Sequence, residues 1–83
     1  MKLDDFSAGM RLEDVDLDAL LTSSEISDWL RVRLTDLKRK CVSGDRVLYY
    51  CSERKEWDAG MGSEGYALVR NDEVIGGVLL RMN

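Results

Sequence analysis

Two runs of β-prone residues separated by Asn71-Asp72 constrain the fold more than any other feature of the sequence. Residues 66–70 and 73–82 are rich in valine, leucine and isoleucine. Asparagine and aspartate tolerate the positive φ angles that a two-residue type I′ turn requires. The sequence therefore predicts an antiparallel hairpin with strands Tyr66–Arg70 and Glu73–Met82.

A two-residue turn also fixes the pairing of the two strands. It places Arg70 opposite Glu73, a cross-strand pair of opposite charge. Continued without interruption, the same register gives the further pairs Val69–Val74, Leu68–Ile75 and Ala67–Gly76. A bulge at Gly76-Gly77 would reverse the alternation beyond it.

The alternation of side chains divides this hairpin into two apolar faces. We expect a helix to cover the first face, which carries Ala67, Val69, Val74, Val78, Leu80 and Met82. The second face is more apolar than a solvated sheet requires, and it carries Tyr66, Leu68, Ile75 and Leu79. Either the N-terminal segment or a partner should therefore cover the second face.

The segment from Ser24 to Cys41 has the periodicity of a helix with one buried stripe. Its apolar residues recur at spacings of three and four, and they are Ile26, Trp29, Leu30, Leu34, Leu37 and Cys41. Thr22 and Glu25 fit a capping box, with Ser24 as a rival cap. Gly44 offers a left-handed stop after the helix.

The remaining elements are shorter. Arg46–Ser52 is rich in valine and tyrosine and is predicted to be a strand. Ser52 fits the cap of one helical turn that ends near Trp57, followed by a glycine-rich loop over residues 58–64. Residues 12–21 fit both a strand and a helix, and we favour a helical turn at Leu17–Leu21 capped by Asp16. Leu3 and Phe6 are expected in a strand or loop.

Together these elements predict an α+β fold, with one main helix packed on an antiparallel sheet of at least three strands. The 83 residues form one domain, of which residues 1–22 are an acidic N-terminal segment that we expect to be partly flexible. The predicted core comprises Ile26, Trp29, Leu30, Leu34, Leu37, Val47, Tyr49, Val69, Val74, Val78 and Leu80.

Composition excludes several kinds of chemistry. The chain has no histidine, so a His-based general base and the common zinc sites are excluded. Cys41 and Cys51 are not in a Cys-X-X-Cys motif and are expected to be free thiols. No apolar run is long enough to span a membrane, and no signal peptide is recognisable, so we expect a cytoplasmic protein. The net charge of −4 disfavours nucleic-acid binding.

The C-terminal half resembles a group of short bacterial proteins of unknown function. The residues that carry the resemblance are Trp57 and the stretch EGYALVRNDEVIGGVLLRMN, with its GYALVR-type strand, tight turn and terminal Met-Asn. The family has an Asp-Gly-type turn, whereas this chain has Asn71-Asp72. The resemblance rests on structural residues; it implies a bacterial source and no activity, and no functional residue is carried over from it.

One motif suggests a ligand site. Residues 60–65 spell GxGxxG, but they precede a strand, whereas the dinucleotide-binding motif follows a strand and opens a helix. We therefore interpret them as a loop. Trp57 stands beside this loop and could contact a ligand or plug the end of the core.

The sequence does not identify a function, and it leaves three hypotheses. The first is a small interaction or regulatory module that binds a protein partner or itself through Tyr66, Leu68, Ile75, Leu79 and Trp57. The second is a small-ligand or enzymatic site around Trp57 and the Gly60–Gly65 loop, although no catalytic constellation, cofactor site or metal site is recognisable. The third is nucleic-acid binding through the basic residues of the helix, which are Arg31, Arg33, Lys38, Arg39 and Lys40. These bases are otherwise interpreted as a solvated face that the helix dipole favours, or as a docking face for an acidic partner or for the acidic N-terminal segment.

Overall fold

A computed structural model describes all 83 residues and shows an α+β fold. Its elements in chain order are α1 (Leu3–Phe6), β1 (Met10–Asp14), α2 (Leu17–Thr22), α3 (Asp28–Lys40), β2 (Arg46–Ser52), α4 (Arg54–Asp58), β3 (Ser63–Arg70) and β4 (Glu73–Met82). No helix is long and apolar enough to cross a bilayer.

The sheet has four antiparallel strands in the order β1-β2-β3-β4, so each strand pairs with the next along the chain. The predicted bounds of β2 and β4 are confirmed. β3 begins at Ser63, three residues before the predicted start, and β1 was not predicted. β1 is short and carries Arg11, Glu13 and Asp14, so it has little of the β-prone composition that marks the other strands.

The turn between β3 and β4 has the predicted form. Asn71 and Asp72 have φ angles of 51° and 62°, and the pairs Arg70–Glu73 and Val69–Val74 are present. Beyond Val74 the predicted register is wrong. Leu68 pairs with Gly76, so Ile75 is an extra residue in β4, and a second extra residue occurs at Leu80.

The extra residue at Ile75 changes which side chains share a face. Val78 lies opposite Tyr66 and joins Leu68 beneath the helices, whereas Ala67 lies on the other face. The buried cluster on the helix side comprises Leu17, Leu34, Leu37, Val47, Leu68 and Val78. The prediction that the helix covers Ala67, Val69 and Val74 was therefore wrong, because both faces of the hairpin are apolar and alternation alone could not distinguish them.

The helical layer consists of α2 and α3, and α2 has the predicted cap. The Ala19 amide donates to Oδ1 of Asp16 at 3.2 Å. α3 begins four residues later than predicted, and Ser27, rather than Thr22 or Ser24, accepts from the Leu30 amide. Gly44 has a φ angle of 91°, but it lies three residues beyond the helix cap.

The prediction that Trp29 belongs to the core was wrong, because its side chain is 50 % exposed. Leu30, Leu34 and Leu37 lie close to one line along α3, and Trp29 lies about 100° from that line around the helix axis. The Arg33 guanidinium instead lies over the Trp29 ring, 5.6 Å from the ring centroid. The predicted buried stripe, which was based on spacings of three and four residues, therefore combined residues from two adjacent faces of the helix.

The N-terminal segment crosses the face of the sheet opposite the helices, which carries Leu48, Ala67 and Val69. The Leu3 amide donates to the Asp72 carbonyl at 2.7 Å, and the Val74 amide donates to the Met1 carbonyl at 2.8 Å. The Phe6 ring then meets Tyr50 edge-on at 4.9 Å between centroids. Leu48, Ala67 and Val69 are 1–2 % exposed on this face. The N-terminal segment therefore covers one face of the sheet, but it is the face of Ala67 and Val69 and not the Tyr66 and Leu68 face for which this cover was predicted.

Candidate interaction surface

The structure separates the residues of the predicted interaction surface. Tyr66 and Leu68 pack beneath the helices, and Leu68 is only 1 % exposed. Ile75 and Leu79 are 46 % and 48 % exposed on β4. Trp57 lies in α4, immediately before the glycine-rich loop. Only Ile75 and Leu79 therefore form part of an open surface on β4.

Trp57 is held by contacts within the chain. Its indole Nε1 donates to the Ser52 carbonyl at 3.1 Å, and the Arg81 guanidinium lies 4.6 Å from the ring centroid. The ring also packs against Gly62, where an added Cβ would lie 2.3 Å from it. The close approach of backbone and indole explains why this position of the loop is glycine.

Asn83 links Trp57 to Gly62 across the loop, and this role was not predicted from the sequence. The Gly62 amide donates to Oδ1 of Asn83 at 2.8 Å, and Nδ2 of Asn83 donates to the Trp57 carbonyl at 2.7 Å. Neither cavity of the protein is lined by Trp57 or by residues 60–65. The arrangement therefore offers no pocket for a ligand beside the indole.

A polar chain connects this region to the centre of the sheet. Arg81 Nε donates to Oε1 of Glu64 at 3.0 Å, and the Tyr49 hydroxyl donates to the other carboxylate oxygen. The hydrogen bond to Glu64 raises the pKa of Tyr49 above its ordinary value. Both oxygens of Glu64 are engaged, which leaves this carboxylate poorly placed to act as a general base.

The largest cavity, about 260 Å³, lies beside α2 and is lined by Val15, Asp16, Leu17, Asp18, Lys38, Cys41, Asp45 and Val47. Burial is the main cause that raises the pKa of the Cys41 thiol. Arg70 donates to Asp45 and lowers the pKa of that carboxyl to about 2. A protonated thiol beside a salt-bridged carboxylate lacks the thiolate and the base of an activated nucleophile.

The outer edge of β4 is the longest unpaired strand edge of the sheet. Met1–Leu3 pair with its first residues, including an isolated bridge from Lys2 to Glu73, and no strand or bridge pairs with it beyond Val74. Residues 74–80 have the sequence VIGGVLL, without a charge. Natural sheets protect edge strands with charges, and β1, at the opposite edge, carries three.

A smaller cleft of about 140 Å³ lies between α3 and this strand. It is lined by Arg33, Asp36, Leu37 and Lys40 from the helix and by Gly77 and Val78 from β4. An added Cβ at Gly76 would meet nothing within 4 Å, so this part of β4 leaves open space.

The bases of α3 do not act as one charged face. Arg31 donates to the carbonyls of Leu21 and Ser23 and thereby holds the end of α2. Lys38 is paired with Asp18, and Arg39 with Asp36. The remaining two bases, Arg33 and Lys40, have no ion-pair partner, and both line the cleft beside β4.

The sequence matches no protein-family model, and neither curated proteins nor solved structures gave a significant match.

Proposed function

We propose that this protein is a small interaction module that binds an extended segment of a partner protein along the outer edge of β4. The main support for this proposal is the edge of β4 from Val74 to Leu80, which has no charged residue and no partner strand beyond Val74. Two side chains of this stretch, Ile75 and Leu79, are exposed. Alternate residues of such an edge present free amide and carbonyl groups that an added strand can bond. We also propose a cytoplasmic location, which the free thiols of Cys41 and Cys51 support.

The two extra residues of β4 limit the number of backbone hydrogen bonds that an added strand can form. They divide the edge, and the regular stretch between them is Gly76–Leu79. Few backbone hydrogen bonds can form over four residues, so side-chain contacts must supply a large part of the affinity. Weak, reversible binding is therefore the expected behaviour.

Selection from a displayed library of random peptides tests the proposal. The wild-type protein should enrich a common sequence pattern, and bound peptides should protect the outward-facing amides within Gly76–Leu79 from hydrogen exchange. Leu79→Lys should abolish enrichment, because it places a charge beside the added strand. Val32→Lys is the matched control, since Val32 is 62 % exposed on α3. Enrichment that survives Leu79→Lys, or no enrichment on the wild type, would refute the function.

A further inference from the structure

We infer that the segment bound at β4 alternates acidic and apolar residues, an inference that rests on the proposed function. The deciding observation is that the two unpaired bases of α3, Arg33 and Lys40, line the cleft beside the free edge of β4. In a protein with a net charge of −4, two free cations converge on one narrow cleft.

The charges that line the cleft favour the binding of carboxylate side chains. The only acid of the cleft is Asp36, which is 3.3 Å from Arg39, so the lining of the cleft carries two bases against one acid. Arg33 lies over the Trp29 ring, which restricts the guanidinium while leaving its donors free. Lys40 receives a hydrogen bond from Arg70 only on its backbone carbonyl, so its ammonium is unoccupied.

The other face of an added strand meets different chemistry. Leu79 pairs with Gly65, whose added Cβ would lie 2.8 Å from the Tyr50 hydroxyl, so Leu79 belongs to the face that α1 covers. Its side chain is 48 % exposed there. Successive side chains of a strand point to opposite faces, so carboxylates toward α3 require apolar residues toward Leu79.

The spacing of the two bases agrees with a strand. Arg33 and Lys40 are seven residues apart, which is about 10 Å along a helix. Residues i and i+2 of a strand are about 7 Å apart. Flexible arginine and lysine side chains span the difference, so two acids separated by one apolar residue reach both bases.

Synthetic nine-residue peptides test the inference. The first alternates glutamate and valine, the second alternates lysine and valine, and the third groups all its glutamates in one block. Binding is measured by titration of the Gly76 and Gly77 amide signals in nuclear magnetic resonance spectra. We expect the alternating acidic peptide to bind and the other two to bind at least about tenfold more weakly.

Charge reversal in the protein gives the second arm. The double variant R33E/K40E should weaken binding of the acidic peptide at least about tenfold. The matched control R11E/R54E makes the same change in net charge at two exposed positions outside the cleft and should leave affinity within about twofold. Unfolding curves of both variants establish that they fold.

The possible results separate the inference from the function beneath it. Equal binding of acidic and basic peptides, abolished by Leu79→Lys, would refute the acidic segment and retain the edge as a binding site. Concentration-dependent self-association in sedimentation, blocked by Leu79→Lys, would make a second copy the occupant and likewise refute it. Failure of every peptide, with a monomer at all concentrations, would refute both.

Discussion

Replacing Gly77 by alanine should destabilise the protein, whereas the same change at the neighbouring Gly76 should not. An added Cβ at Gly77 would lie 2.3 Å from the carbonyl oxygen of Tyr66, while one at Gly76 would meet nothing within 4 Å. Neither glycine has a positive φ angle, so alanine is compatible with the backbone at both positions.

The expected loss of stability in Gly77→Ala follows from the contact between the added Cβ and the Tyr66 carbonyl oxygen. An ordinary carbon contact distance is about 3.5 Å, so β3 and β4 must separate by about 1 Å at Gly77. Overpacking of this kind costs about 1–3 kcal/mol. Alanine also reduces the entropy of the unfolded chain, which stabilises the protein by about 0.4–1 kcal/mol. That contribution is common to both variants, so their difference isolates the contact with Tyr66.

Urea unfolding followed by circular dichroism measures the difference. We expect Gly76→Ala to be neutral or slightly more stable than the wild type. Gly77→Ala should be about 1–3 kcal/mol less stable than Gly76→Ala, which corresponds to roughly 4–24 °C in melting temperature for a domain of this size. The slopes of the unfolding curves should be equal, so that the midpoints report stability.

The refuting result is equally definite. If the two variants agree within about 0.5 kcal/mol, or if Gly76→Ala is the less stable, the close approach of Gly77 to the Tyr66 carbonyl is refuted.

Three further predictions concern the two faces of the sheet and one ion pair. Leu34→Ala should cost about 2–5 kcal/mol in urea unfolding, because Leu34 is fully buried at 0 % exposure. Phe6→Ala should cost less, about 1–3 kcal/mol in the same assay, because Phe6 is half-buried against Tyr50; no loss of stability would contradict the cover over this face. Arg70 lowers the pKa of Asp45 from 3.8 to about 2, so the stability that their pair contributes is present above pH 3.8 and is lost as the pH falls through about 2. Melting temperatures between those pH values should therefore fall more steeply in the wild type than in Asp45→Asn, and parallel curves would contradict the pairing.

Local chemistry made much of the fold predictable. The Asn71-Asp72 turn and the Asp16 cap depend on residues adjacent in the chain, and both were identified correctly. The register beyond Val74 depends on the approach of Gly77 to the backbone of β3. The pair Gly76-Gly77 indicated a bulge as an alternative, but it did not identify Ile75 as the extra residue. β1 was not predicted, because its few apolar residues are stabilised by pairing with β2 rather than by their own propensity.

The candidate surface was predictable only in part. The sequence indicated an excess of apolar residues on the hairpin and a basic helix, and it singled out Ile75 and Leu79. It could not show that Arg31 and Lys38 are engaged within the chain, since Arg31 binds backbone carbonyls and Lys38 binds the distant Asp18. The partner of Arg39 is Asp36, three residues earlier on the same helix, and that pair could have been predicted from the sequence. Tyr66 and Leu68 were misassigned because the direction from which the helices approach the sheet is a tertiary property.

The pairing of Met1–Leu3 with Asp72–Val74 has a consequence for synthesis of the chain. These contacts join residues about 70 positions apart in the chain, and such distant contacts are slow to form because they require closure of a long loop. Until the turn at Asn71-Asp72 has left the ribosome, the N-terminal segment has no anchor beside β4. Leu48, Ala67 and Val69 would then face solvent on the growing chain, so the nascent protein should depend on chaperones most in the interval before the Asn71-Asp72 turn emerges.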